Sequence, residues 1–332
     1  MGNFDDIRPY RDNEVSGVIR TLLNNAEFFD AVAGFQLPRL KRVLPWLTKK
    51  LVEKSLKKKL EGMNSIGDVQ DVIAIYVKRI IDTTTTGLST SGLGELPQNT
   101  PHLFVSNHRD IVMDPALVSY LLHQSVHGTI EIAIGDNLLK KEFISDLMRL
   151  NKSFIVKRSV QGREKLLASK LLSQYIHYSI DEGNNVWIAQ REGRAKDGLD
   201  KTDPTIIKML HMGKRDGAQK MSLKECVDRL HIIPVSISYE YDPCDEMKAR
   251  ELYEIEHSGH FEKNEQMDFI SISTGMNGFK GNVHLSFGTE INAIDINAVN
   301  IADQIDEQVI LNYKLYPSNF LAYEKLQNED PT

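Results

Sequence analysis

HLFVSNHRDIVMDPALVSYLL, residues 102–122, holds three kinds of sequence in one short run. HLFVS has the length and apolar character of a buried strand. SNHRDIVMDP is polar and irregular, and PALVSYLL is an apolar helix candidate opened by Pro115. The alternation continues outward from there. Short apolar runs recur as TIEIAIG at 129, SFIVK at 153, NVWIAQ at 185, HIIPVSISYEY at 231 and NVHLSFG at 282, with helix candidates opening near Asn137, Gly162, Pro204 and Asp245. Strands alternating with helices predict an α/β fold: a mixed, partly parallel sheet flanked by helices.

The region before this is different. From residue 12 to about 84, apolar residues recur at spacings of three and four in Val15 to Leu23, Leu44 to Leu60 and Val69 to Ile81, and the Thr83 to Thr86 run with Gly87 ends the pattern. The expected organisation is a helical N-terminal region over residues 1–90 and an α/β domain over 91–332.

In a parallel sheet the ligand lies beyond the C-terminal ends of the strands, so the loops leaving those strands are where chemistry is sought. Three are rich in polar groups: SNHRDIVMDP, KRSVQGREK at 157–165 and QREGRAKDG at 190–198. In the first, His108 leaves a strand with Asp110 and Asp114 close behind. An imidazole that takes a hydroxyl proton and a carboxylate that fixes its tautomer would together activate an alcohol. Asp114 before Pro115 also reads as a helix N-cap with proline at the first helical position; one carboxylate oxygen can cap while the other meets His108. The second loop carries Lys157, Arg158, Arg163 and Lys165, and the third Arg191, Arg194 and Lys196 around Gly193. Guanidinium groups grip phosphate bidentately, and a glycine lets an anion approach the backbone, so both loops are candidate anion sites.

Composition excludes several alternatives. With 41% hydrophobic and 26% charged residues in 332, the chain is neither disordered, collagen-like nor a disulfide scaffold. Its two cysteines, Cys226 and Cys244, stand in no nucleophile motif and read as structural thiols of a reducing, cytoplasmic compartment. MGNFDDIRPY shows no targeting signal, and no apolar run nears the roughly 18–20 residues that cross a bilayer. The pairs His123/His127 and His257/His260 lack the neighbours of a metal motif. A net charge of −6 argues against nucleic acid. The charge is uneven, however: residues 36–60 hold nine Lys or Arg, from Arg39 to Lys59, against the single acid Glu53, interleaved with Leu44, Trp46, Leu47, Leu51 and Leu56. This stretch is a solvated helix face, a dock for an anionic membrane surface, or a lure for an acidic carrier protein.

Four of these segments, in order, resemble the motifs of the glycerolipid acyltransferases, the glycerol-3-phosphate and 1-acylglycerol-3-phosphate enzymes. SNHRDIVMDPALV resembles the Asn-His-x4-Asp motif, FIVKR at 154–158 the strand end closed by Arg, REGRAK the Glu-Gly-x-Arg-type loop, and IIPVSISY at 232–239 the Ile/Val-Pro-Val strand. The likeness covers roughly residues 95–290. It departs in two places: five residues separate His108 from Asp114 where the family has four, and Lys152 stands where the second motif usually has Gly. Asp114 is the preferred partner of His108, with Asp110 as the alternative. The resemblance implies direct acyl transfer, with His108 deprotonating the acceptor hydroxyl for attack on a thioester of acyl carrier protein or coenzyme A. No metal or bound cofactor is implied. Arg158, Arg191, Arg194 and Lys196 would hold the acceptor phosphate, and Asn107, Glu192, Gly193 and Pro234 would shape the site. WIA before the third motif and DPA in the first resemble the soluble members with a helical N-terminal domain, which favours a cytoplasmic protein, at most peripheral on the membrane.

Overall fold

The computed structural model describes residues 4–213, 215–216, 219–262, 265–292 and 297–329. It begins with helices α1 (Asp12–Leu22), α2 (Ala26–Gln36), α3 (Pro38–Val43), α4 (Pro45–Leu60) and α5 (Ile66–Thr84). Then come β1 (Gly87–Ser91), β2 (Leu103–Ser106), α6 (Met113–His123), β3 (Ile130–Gly135), α7 (Glu142–Leu150) and β4 (Ser153–Val156). α8 (Gly162–Asp181), β5 (Asn185–Ala189) and α9 (Pro204–Leu210) precede a small hairpin of β6 (Arg215–Asp216) and β7 (Gln219–Lys220). The remainder is α10 (Leu223–Leu230), β8 (Ile232–Tyr239), α11 (Asp245–Ser258), α12 (Glu265–Asn277), β9 (Asn282–Phe287), α13 (Ala298–Leu311) and α14 (Pro317–Glu329).

Two compact units divide the chain: Asn3–Ile75 with Ile134–Gln161, and Tyr76–Ala133 with Gly162–Thr332. The first unit also holds β4, and its helices form because their apolar residues repeat at helical spacing. Val15, Ile19 and Leu22 of α1, Val52 and Leu56 of α4, and Phe143 and Leu150 of α7 close around Phe28 and Phe29 of α2 in one buried core. The Phe28 ring lies 5.5 Å from Phe29 and 6.2 Å from Phe143, contacts worth about 0.5–1.5 kcal/mol each beyond their burial. Among the described residues no helix is long and apolar enough to cross a membrane.

Six strands of the sheet belong to the second unit, in the order β1-β9-β8-β2-β5-β3. β1 runs parallel to β9, β2 parallel to both β8 and β5, and β5 parallel to β3. β8 and β9 pair antiparallel, so the sheet is mixed, as the alternation of strands and helices predicts. Every residue of β2 and β8 is buried, which is why they read as unbroken apolar runs. β1, Gly-Leu-Ser-Thr-Ser, is an exposed edge strand without an apolar signal, and the sequence reading ended its preceding region there. The buried carboxylate of Glu131 on β3 is satisfied by α8, accepting from Tyr175 Oη at 2.6 Å and Ser179 Oγ at 2.7 Å. On β8, the Ser236 hydroxyl donates to the Val309 carbonyl of α13 at 2.8 Å.

Because β2, β5 and β8 are parallel, their C-terminal ends share one edge. The loops beginning at Asn107 and Gln190, and the side chain of Tyr239, therefore meet there.

Candidate active site

The site is built from the turn that leaves β2. Asn107 is buried, and its amide extends the β2–β8 ladder by one side chain: Oδ1 accepts from Ile237 N at 2.8 Å while Nδ2 donates to Ile237 O at 3.0 Å. This fixes the point from which His108 projects.

His108 Nδ1 lies 2.8 Å from Oδ2 of Asp114. A carboxylate oxygen only accepts, so the proton belongs on Nδ1 and leaves Nε2 as the acceptor. The Trp187 ring meets the imidazole edge-on at 5.8 Å, and the indole is held by its own bond to Ser106 Oγ at 3.0 Å. Asp114 is fully buried, and the loop wraps its carboxylate in donors. Oδ2 also accepts from the backbone N–H of Arg109 at 2.6 Å and of Asp110 at 2.9 Å, and Oδ1 accepts from Tyr239 Oη at 2.8 Å. Burial alone would push this carboxyl up; the bonds from His108, Asp110 and Tyr239 outweigh it and hold the group below the ordinary Asp value.

The helix cap expected at Asp114 is not made there. α6 begins at Met113, so Asp114 lies inside its first turn, and Asp110 Oδ1 accepts from Val112 N at 2.9 Å and Met113 N at 2.8 Å. The two carboxylates thus divide the work that the sequence reading gave to one, and the five-residue separation is absorbed in the turn. Burial, then the nearby charge of Asp114, raises the Asp110 carboxyl above its ordinary value. α12 passes so close that a Cβ added at Gly275 would come within 1.8 Å of Asp110 Oδ2.

The loop after β5 docks on this turn through Ala195 N, which donates to His108 O at 3.0 Å. Gly193 has φ +78° and open space where a Cβ would stand, so glycine is there for its left-handed backbone and not for close packing. Glu192 is exposed and Arg191 half-buried. Arg194 turns inward, where its charge opposes the upward push on Asp110; its Nη1 is buried and has no hydrogen-bond partner among the described residues. Lys196 forms an ion pair with Glu251 of α11.

Pro234 lies in the N-terminal half of β8, buried opposite Val105, and Tyr239 at the end of the same strand reaches Asp114. Arg158 belongs to the first unit. There its backbone N–H and the Ser159 hydroxyl bind the Asp136 carboxylate at 3.0 and 2.6 Å, and its side chain lies over Gly135, whose added Cβ would stand 2.9 Å from Arg158 Nε. Lys152, at the position of the motif's usual Gly, has φ +55°, the left-handed backbone that a glycine adopts freely. Cys226 and Cys244 are buried, and burial pushes the Cys226 thiol up to about 12.

Sequence reasoning missed a second ring of partners. Arg109 forms an ion pair with Asp200, and its guanidinium lies 5.5 Å from the centre of the Tyr313 ring. Asn107 Nδ2 also reaches Asp200 at 3.2 Å. Buried Lys248 donates to the Arg109 carbonyl at 2.8 Å and pairs with Asp242. Asp200, Asp242, Lys248 and Tyr313 come from segments distant from His108 and carry no local signal.

A sequence model of the family described as Acyltransferase matches residues 88–238, from the second residue of β1 to the next-to-last residue of β8. Among solved structures the chain is similar to the crystal structure of the 1-acyl-sn-glycerophosphate (LPA) acyltransferase PlsC from Thermotoga maritima. That likeness has 13% identity and a TM-score of 0.42, and it covers 88% of this chain and 100% of that one. Among curated proteins no match is found.

Proposed function

We propose that the protein, whose residues 88–238 match the Acyltransferase family model, moves a fatty acyl group from a thioester of acyl carrier protein or coenzyme A to the hydroxyl of glycerol 3-phosphate or 1-acylglycerol 3-phosphate. The observation that carries this reading is the His108 Nδ1 to Asp114 Oδ2 contact at 2.8 Å with Asp114 fully buried, which leaves Nε2 as a base at the strand ends. His108 Nε2 takes the acceptor's hydroxyl proton as its oxygen attacks the thioester carbonyl. The tetrahedral intermediate collapses with loss of the thiolate, and the imidazolium returns the proton to sulfur. Asp114, kept ionised by its donors, orients the ring and stabilises the imidazolium while it lasts. The step needs no bound cofactor or metal.

For the acceptor's phosphate, Arg194 is the candidate the geometry favours, because its buried Nη1 has a donor to spare beside the His108 turn. Arg191 is the second. Lys196 already faces Glu251, and its part in phosphate binding requires that pair to open. Gly193 and Glu192 shape the loop.

The test incubates the purified protein and its His108→Ala variant with acyl-carrier-protein and coenzyme A thioesters, offering glycerol 3-phosphate, its 1-acyl derivative or no acceptor. Acyl ester formed on one acceptor and lost in the variant identifies the step. Donor bound equally by both proteins with no transfer to either acceptor overturns the reading and leaves an acyl-donor-binding module. Free fatty acid formed without any acceptor points to thioester hydrolysis instead.

A further inference from the structure

α4 has two unlike sides. Thr48, Val52 and Leu56, four apart, face the core of the first unit. At about 100° per residue, Leu47, Lys50, Lys54 and Lys57 lie opposite, with Trp46, Lys58 and Leu51 toward the flanks of that side. Trp46 is 63% exposed and Leu51 49%, and Val43 and Leu44 just before the helix are 73% and 38% exposed. The Lys50 ammonium lies 5.9 Å from the centre of the Trp46 ring. Acid is almost absent: Glu53 is the one carboxylate between residues 36 and 60, and Lys57 answers it at 2.7 Å.

We propose that α4, with the apolar residues Val43 and Leu44 that precede it, docks the protein in the plane of an anionic phospholipid surface. The helix has 16 residues and a lysine-studded outer face, so it lies along an interface and does not enter the hydrocarbon. Trp46, Leu51, Val43 and Leu44 supply the buried area, an indole sits stably at headgroup depth, and the lysine stems extend along the apolar face with their ammonium groups toward lipid phosphates. A chain of net charge −6 is repelled by an anionic bilayer, so the attraction must come from this local patch. An acidic protein would satisfy the lysines but leave the exposed apolar side chains in water, which favours the bilayer as occupant. The inference stands on this surface and not on the acyl-transfer reading, so its test contains no substrate.

The full chain is mixed with vesicles of phosphatidylcholine alone or of phosphatidylcholine and phosphatidylglycerol in equal parts, and binding is read by flotation and by tryptophan emission. Binding to the mixed vesicles, weakened by salt and accompanied by a blue shift, is the expected result; Trp187, 3% exposed, contributes a constant background. Lys50→Gln, Lys54→Gln and Lys58→Gln together should lower vesicle affinity about a hundredfold, roughly fivefold each. Trp46→Ala should remove the blue shift. All four side chains point away from the core, so the melting temperature checks that the fold persists. Equal binding to both vesicle types, or an unchanged triple variant, overturns the proposal. So does capture of an acidic acyl carrier protein that the lysine substitutions abolish while the vesicles stay unbound.

Discussion

Asp114 accepts four hydrogen bonds on two oxygens while wholly buried, and each donor has a separate consequence. Tyr239→Phe removes the one side-chain hydroxyl on Oδ1. Leaving that acceptor unsatisfied should lower stability by about 1–3 kcal/mol in urea unfolding, and kcat should fall with the acceptor's KM unchanged, because ring orientation and not acceptor grip is lost. Asp114→Asn goes further and should reduce kcat by about 10²–10⁴-fold, since an amide NH₂ turned to Nδ1 favours the wrong tautomer. The two buried aspartates also have opposite acid responses. Asp114 has a folded value below its unfolded one, near 3.9, so its contribution is complete above that pH and is lost as pH falls through the folded value. Asp110 is raised by burial, so over the window between its unfolded and folded values the native state binds the extra proton and gains stability as pH falls. Asp110→Asn keeps the Oδ1 acceptor for Val112 and Met113 without the charge. Its melting temperature at neutral pH should equal or exceed the parent's, whereas that of Asp114→Asn should drop.

At the scale of elements, α12 and the loop after β5 hold the His108 turn from different sides. Gly275→Ala would drive α12 off the Asp110 carboxylate, a forced displacement of about 1–3 kcal/mol that calorimetry should show together with reduced turnover. Gly193→Ala should cost about 1–2 kcal/mol for its left-handed backbone, and Gly193→Asn less. These elements differ in how plainly the sequence announces them. β2, β3, β4, β5, β8 and β9 coincide with the six apolar runs, because burial, complete in β2 and β8 and partial in the others, writes a strand into composition. β1 escaped, since an exposed edge strand of Gly, Ser and Thr looks like a turn until β9 pairs with it. Asp-Pro marks a helix start correctly at Asp203, which caps α9 through Thr205 N. At Asp114 the same dipeptide misleads, because His108 and Tyr239 claim the carboxylate and Asp110 binds the backbone leading into α6. The His108–Asp114 pair itself was legible, being local. Tyr239, Asp200, Lys248 and the partner of Lys196 were not, since the sheet and α11 deliver them from distant positions.

Over the whole molecule, protection from solvent is uneven. β2 and β8 are buried at every residue, while β1 is mostly exposed and α14 is exposed along most of its length. Hydrogen exchange should therefore find β2 and β8 opening only with global unfolding, and β1 and α14 exchanging orders of magnitude sooner. Uniform exchange across these four would contradict that order. The strand sequence also sets a timetable for synthesis. Gly87 pairs with Asn282, so at about 5–20 residues per second β1 waits roughly 10–40 s for β9 to be translated. β2 likewise leaves the ribosome long before β8 can cover it. The hydroxyl that steadies Asp114 arrives only with residue 239, so a nascent chain contains His108 and Asp114 well before it contains the group that completes their hydrogen bonds. The newborn chain carries an apolar strand uncovered for much of its translation, and a chaperone that shields residues 103–106 during that interval would raise the yield of active protein.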